Sequence, residues 1–166
     1  MIEEIFQDLD ALDLGRSVVD VGAGFGASTE YLLRRGVRVC AVDVDPGAVT
    51  SLRSRFRQFV EIGMLRLDLA PAEALPYRDA ACDSAISVVA LHHFRDVRRA
   101  LLEMERVARR LVVVYDWAPG AGGVINPHSP EELRQKMKTA LEIAKTLGFE
   151  YTARRLWYRL LKRKTL

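Results

Sequence analysis

The chain has 166 residues, 49% of them hydrophobic, and a net charge of +3. That length supports one compact core, so residues 1–166 are expected to form a single domain with no room for a second. No apolar run approaches the roughly 20 residues of a membrane span, and the N-terminus lacks a signal peptide's basic-then-apolar layout, so a cytoplasmic protein without a membrane span is expected.

Residues 2–12 place Ile2, Ile5, Phe6 and Leu9 on one face of an N-terminal helix. Residues 17–21 read as a buried strand running into Gly22-Ala23-Gly24-Phe25-Gly26. A helix over 27–35 follows, closed by Gly36. The second strand, 37–42, ends at Asp43, and Pro46 opens a helix in which Val49, Leu52, Phe56 and Phe59 repeat at helical spacing. The pattern then predicts strands over 64–69 and 83–90, and a helix over 96–108 that turns Val97, Leu101 and Met104 inward.

The fifth strand, 111–115, leads to Asp116 and Trp117. A Pro/Gly-rich loop over 118–129 comes next, and its Gly120, Gly122 and Gly123 are expected to give it the mobility of a lid. Ser129-Pro130-Glu131-Glu132 reads as an N-cap, a first-turn proline and acids favoured by the helix dipole, opening a helix that ends at Gly148. Residues 149–164 are strand-like again, with a turn near 155–157.

Alternating strands and helices indicate a parallel sheet covered on both faces, with ligands beyond the carboxyl ends of its strands. A strand, a glycine turn, a helix and a second strand tipped by a carboxylate form a nucleoside-binding half-unit. Gly22 and Gly24 let backbone approach the ligand, and Asp43 can accept from both ribose hydroxyls. The spacing of Gly22, Gly24 and Ala27 also fits a dinucleotide enzyme. A carboxylate at Asp20, however, would repel a pyrophosphate held over the turn. It would suit an amino-acid ammonium, or it could brace the turn through backbone hydrogen bonds.

Four ordered segments carry a resemblance. Residues 18–26, Ala41-Val42-Asp43-Val44-Asp45-Pro46, Ala72-Glu73-Ala74-Leu75-Pro76-Tyr77 and the run from Cys82 through His92-His93 are similar to the motifs of class I S-adenosyl-L-methionine (AdoMet)-dependent methyltransferases. The branch they resemble is the small-molecule, type 11-like one. The resemblance implies a three-layer Rossmann-like α/β sandwich, with a seven-stranded, mostly parallel sheet ending in an antiparallel edge hairpin. It also implies AdoMet as cofactor and S-adenosyl-L-homocysteine (AdoHcy) as product. Asp20, Gly22, Ala23, Gly24, Asp43, Val44, Ala72, Glu73 and Ser87 fall at its cofactor-binding positions, with Val44 packing on the adenine face. The aspartate common before the adenine-loop alanine is replaced by Pro71, for which Asp68 is the candidate substitute.

Methyl transfer is an in-line displacement that needs positioning and, for a protonated nucleophile, a base. His92 and His93 follow the fourth strand and are the catalytic candidates, ahead of His128 and Asp116. The fourth-strand segment is neither Asn-Pro-Pro-Tyr nor a catalytic Pro-Cys, which disfavours nucleic-acid amino methylation and cytosine C5 chemistry. Cys40 and Cys82 read as buried thiols, and no Cys/His spacing along the chain fits a metal, so no metal is expected. A small-molecule acceptor is the leading expectation. An RNA or protein acceptor, a non-catalytic AdoMet-binding subunit, and a homodimer completing an open site are the alternatives. Residues 150–166 carry six bases against Glu150, which suits either RNA phosphates or a charged edge strand that discourages aggregation.

Overall fold

A computed structural model describes residues 2–165. The elements in order are α1 (Ile2–Asp10), β1 (Ser17–Val21), α2 (Ala27–Arg34), β2 (Arg38–Asp43), α3 (Pro46–Arg55), α4 (Arg57–Glu61) and β3 (Leu65–Leu69). They continue with β4 (Cys82–Val88), α5 (Val97–Val107), β5 (Ala108–Trp117), α6 (Pro130–Thr146), β6 (Glu150–Ala153) and β7 (Trp157–Arg163). The seven strands pair in the order β3-β2-β1-β4-β5-β7-β6. Every pairing from β3 to β5 is parallel, whereas β7 runs antiparallel to both β5 and β6. The Rossmann-like sandwich and its edge hairpin are as the sequence predicts.

The central strands are buried on both faces, which explains their continuous Val/Ile composition. On one side Ile5, Leu9, Leu32 and Leu52 from α1, α2 and α3 pack on Val18, Val39, Ile86 and Val113. On the other, Leu101, Met104, Ala140 and Ala144 from α5 and α6 pack on Val19, Ala85, Val112 and Leu160. The reversal of strand order lies between β1 and β4, and this puts the ligand edge at their carboxyl ends.

Two elements differ from the sequence reading. The helix after Pro46 breaks at Phe56, whose φ of −112° and ψ of 29° leave the helical region. This keeps the Phe56 ring over Gly26 and edge-on to Phe59 at 6.4 Å. Strand β5 begins at Ala108 and ends at Trp117, longer than 111–115, because Ala108 pairs with Cys82 of β4 and β7 pairs along it as far as Asp116 and Trp117. Its polar start is held by Arg109 to Asp83 (2.6 Å) and Arg110 to Asp13 (2.7 Å).

The basic C-terminal segment is bonded largely within the fold. Arg159 donates to Asp8, Lys162 to the Leu147 carbonyl, and Lys164 to the carbonyls of Glu105 and Ala108. Arg159, Lys162 and Arg163 lie on β7, which is interior to the sheet between β5 and β6, and the edge strand β6 carries no base, so the charge is not that of an edge strand. Asp8 is the hinge of this arrangement, since one oxygen, Oδ2, accepts from Tyr115 (2.7 Å) and Arg159 (2.8 Å), tying α1 to β5 and β7. Asp8→Ala leaves the buried Tyr115 hydroxyl without its acceptor. A loss of about 2 kcal/mol in urea-unfolding stability is expected, and an unchanged midpoint would show the contact to be idle.

Candidate active site

Parallel register sets the site. Asp20 pairs with Ala41 and Val21 with Val42, so β1 and β2 end side by side. The Gly22 and Ala23 amides both donate to the Val42 carbonyl, and the Gly24 amide donates to Asp43 Oδ2 at 2.8 Å. Gly22 has φ +74°, and a Cβ there would stand 2.6 Å from the Ala90 Cβ, so no other residue fits. At Gly24 (φ +52°) an added Cβ would meet only the Gly22 carbonyl oxygen, at 3.9 Å. Bare backbone therefore faces open space at the turn.

That space is a cavity of about 800 Å³. Its lining runs from Gly22, Ala23, Gly24, Asp43 and Val44, past Ala72 and Glu73, to His92, His93 and Asn126. Asp43 Oδ1 accepts from the Asp45 amide at 3.0 Å, so each carboxylate oxygen holds one backbone donor and keeps capacity for another. Val44 is 64% exposed, an apolar surface beside that acid. These features fit an adenosine whose ribose hydroxyls reach Asp43 and whose base lies on Val44.

Asp20 and Ser87 lie apart from the lining. Both are fully buried in the sheet beneath it. Asp20 Oδ2 accepts from the Ser28 and Thr29 hydroxyls, each at 2.7 Å, which braces the start of α2 through side chains and not through the backbone hydrogen bonds of the sequence reading. Among the described residues, Asp20 Oδ1 and Ser87 Oγ have no hydrogen-bond partner. Burial pushes the Asp20 carboxyl up from 3.8 to about 6; the Thr29 and Ser28 hydrogen bonds oppose that rise, and the nearby Asp43 charge adds to it.

The adenine side also departs in detail. Asp68 does not substitute for the aspartate missing at Pro71: its oxygens take the Tyr77 hydroxyl (3.0 Å) and Arg66 (2.9 Å), outside the cavity. Glu73 lines the cavity, but its Oε1 accepts from the Asp96 amide at 3.0 Å and so fixes the start of α5.

At the far end, His92 sits in a short 3-10 turn after β4, with its ring buried. Its Nδ1 lies 2.7 Å from Asp116 Oδ1. Asn126 Oδ1 accepts from the His128 amide, so the Asn126 amino group faces His92 Nε2 at 3.4 Å. This network assigns the proton to Nδ1 and leaves an Nε2 lone pair. The His93 ring lies 4.0 Å from that of His92 and is exposed at the cavity. Partial burial, then the neighbouring His92, holds its pKa below 6.5.

The sequence placed Asp116 low and gave no sign of Asn126, because a loop amide 34 residues from His92 carries no periodic signal. Val89 was also missed: it lines the cavity at φ +54°, a strained backbone for a β-branched residue and a common mark of functional sites. The 118–129 loop is more fixed than its glycines suggested. A Cβ on Gly120 would stand 2.4 Å from the Arg155 carbonyl, and one on Gly122 2.5 Å from the Pro130 nitrogen, so both serve close packing.

Fold and site together define a class I methyltransferase domain. A family model described as a methyltransferase domain, type 11, matches residues 19–114, and the chain belongs to that family. AdoMet is the cofactor that membership carries. The chain is 32% identical over 110 residues to the methyltransferase GfsG of Streptomyces halstedii, covering 66% of this chain and 39% of that protein. It is 30% identical over 146 residues to a Mycobacterium tuberculosis protein named a probable S-adenosylmethionine-dependent methyltransferase, covering 84% and 51%. The chain thus spans about half or less of the length of these relatives. An Aquifex aeolicus SAM-dependent methyltransferase superposes with a TM-score of 0.74 at 18% identity, over 97% of this chain and 88% of that one, which speaks for the fold. No helix among the described residues is long and apolar enough to cross a membrane.

Asp20 yields a stability test. Because folding raises its pKa from 3.8 to about 6, its contribution is complete below pH 3.8 and is lost as pH rises through 6. Relative to Asp20→Asn, the wild type is expected to lose roughly 3 kcal/mol of unfolding free energy between pH 3 and pH 8. Parallel pH profiles for the two proteins would contradict the assignment.

Proposed function

We propose that the domain transfers a methyl group from AdoMet to a small-molecule acceptor. The reading rests chiefly on one observation: a single cavity of about 800 Å³ joins the glycine turn and Asp43 to the His92–His93 end. Pockets of about 300–1,000 Å³ accommodate drug-sized ligands. This one lies near the upper end of that range, in keeping with a nucleoside cofactor and a small acceptor together.

When bound, AdoMet supplies a methyl carbon made electrophilic by its sulfonium and leaves as AdoHcy. The chain's part is positioning. Asp43 grips the ribose hydroxyls and Val44 covers the base. The Gly22–Gly24 backbone lets the amino-acid portion lie close, with the orphaned Asp20 Oδ1 beneath it as a buried negative counterpart to an ammonium. Holding nucleophile and methyl carbon in line removes much of the entropic barrier. His92 and His93 are the catalytic pair at the acceptor end, managing the acceptor's proton, and Asp116 orients the His92 ring. A homodimer that completes the pocket is compatible with this scheme but is not needed by it.

Calorimetry with AdoHcy tests the cofactor half. Asp43→Asn, which retains an acceptor for the Gly24 amide, is expected to weaken binding about tenfold or more, since hydrogen bonds to a charged group are worth about 1.5–3 kcal/mol. Undiminished affinity would refute the ribose assignment. For the acceptor half, a panel of phenols, alcohols and amines is scored by AdoHcy release. His92→Ala should lower kcat by about 10²–10⁴-fold with AdoHcy affinity retained. An unchanged kcat on an accepted substrate would remove His92 from catalysis.

A further inference from the structure

Three imidazoles from two distant segments meet at the histidine end of the cavity, which His92 and His93 line, with His128 beside them. His92, His93 and His128 each present one ring nitrogen, and the three nitrogens lie within 4.8 Å of one another. The His92 and His128 ring centroids are 5.6 Å apart, and those of His93 and His128 are 6.2 Å apart. No two of the three residues have a helical metal-binding spacing, and His128 comes from the loop before α6, so only the fold assembles them.

The surroundings are those of a ligand set. His92 Nδ1 rests on Asp116 Oδ1 at 2.7 Å, and His128 Nδ1 lies 3.6 Å from Glu132 Oε2. Two rings thus have a carboxylate beside Nδ1, the outer-shell pattern that orients metal-binding histidines and raises their basicity, and on His92 the 3.4 Å contact from the Asn126 amino group gives way to the ion. Asp116 is itself fixed by the Trp117 amide at 2.8 Å, and the buried Asn126 holds the His128 backbone at 2.8 Å. The Lys136 ammonium is tied to the His92 carbonyl at 2.9 Å.

We propose that His92, His93 and His128 bind a divalent transition-metal ion of the zinc class, with a fourth position open to the cavity. Three imidazoles and an open position match a catalytic zinc site. With Zn–N bonds of about 2.0–2.1 Å, tetrahedral ligand nitrogens stand about 3.4 Å apart, so the trio closes by little more than an ångström around the ion. His93 is exposed and His128 half-buried, which leaves both rings free to make that adjustment. A zinc-class ion at this position lowers the pKa of an oxygen ligand by several units. With the ion bound, His92 and His93 act on the acceptor's proton through the metal and not as bases themselves: an acceptor hydroxyl reaching it would release its proton to bulk water and face the cofactor as an alkoxide or phenoxide. The inference therefore deepens the proposed function, naming hydroxyl compounds as the acceptor class, and rests on that reading for its chemistry alone.

Metal uptake tests the site without reference to activity. The full chain, free of any histidine tag, is loaded with Zn²⁺, dialysed and measured by elemental analysis and calorimetry. One zinc per chain is expected for wild type, near-complete loss for His93→Ala and His128→Ala, and an affinity about 10–100-fold lower for Asp116→Asn. AdoHcy binding and circular dichroism establish that the variants fold. Sub-stoichiometric uptake by wild type, or uptake unchanged in both histidine variants, overturns the proposal. Zinc bound at the trio with no methyl transfer to any acceptor would count against the proposed function and leave the metal site standing. Transfer undiminished in metal-stripped protein would remove the ion from the reaction and leave the function intact.

Discussion

The hydrogen bond from the Gly24 amide to Asp43 Oδ2 is the contact on which the site depends. It is charge-assisted, and it joins the turn after β1 to the tip of β2 across neighbouring parallel strands. The register of those strands brings its two ends together, and the missing Cβ at Gly24 keeps the space above them open. A second contact locks the third wall. Gly22 lies so close to Ala90 that the loop after β4 is seated against the glycine turn. Three loops, each at the carboxyl end of a strand, therefore form one rigid rim, and the ligand-facing groups ride on it.

Electrostatics divide that rim into two ends. At the cofactor end an acid is exposed to the cavity while another is buried beneath it, with one oxygen satisfied by two hydroxyls and the other orphaned. At the histidine end, Asp116 and Glu132 stand behind the His92 and His128 rings, on the Nδ1 side. A positively charged methyl donor and a nucleophile that must shed a proton call for that division. The strained Val89 backbone, held by its amide bond to the Tyr115 carbonyl at 2.8 Å, lies between the two ends.

The strand-turn-strand unit was legible in the sequence because its chemistry is local. Glycines at 22 and 24 and acids at 20 and 43 sit at fixed distances from buried strands, and the period of the apolar residues locates those strands. What escaped was set by packing between distant segments. The helix break at Phe56 follows from the ring's seat over Gly26. The length of β5 follows from its antiparallel partner, which arrives some forty residues later. Gly120 and Gly122 looked like mobility in composition and proved to be close approaches of backbone to backbone. The three histidines were legible as candidates at one end of the site, but not their approach to within 4.8 Å, since His128 joins the adjacent pair only when the loop after β5 folds back over β4's end. The depth of Asp20 below the cavity was not legible, because it depends on α2, whose Ser28 and Thr29 take up its oxygen.

A crystal structure of the complex with AdoHcy puts the central claim to its most direct trial. The account predicts ribose hydroxyls within hydrogen-bond distance of Asp43, adenine against Val44, and the sulfur turned toward the His92–His93 end of the same cavity. Density for the nucleoside elsewhere, or a sulfur directed away from those imidazoles, would contradict it.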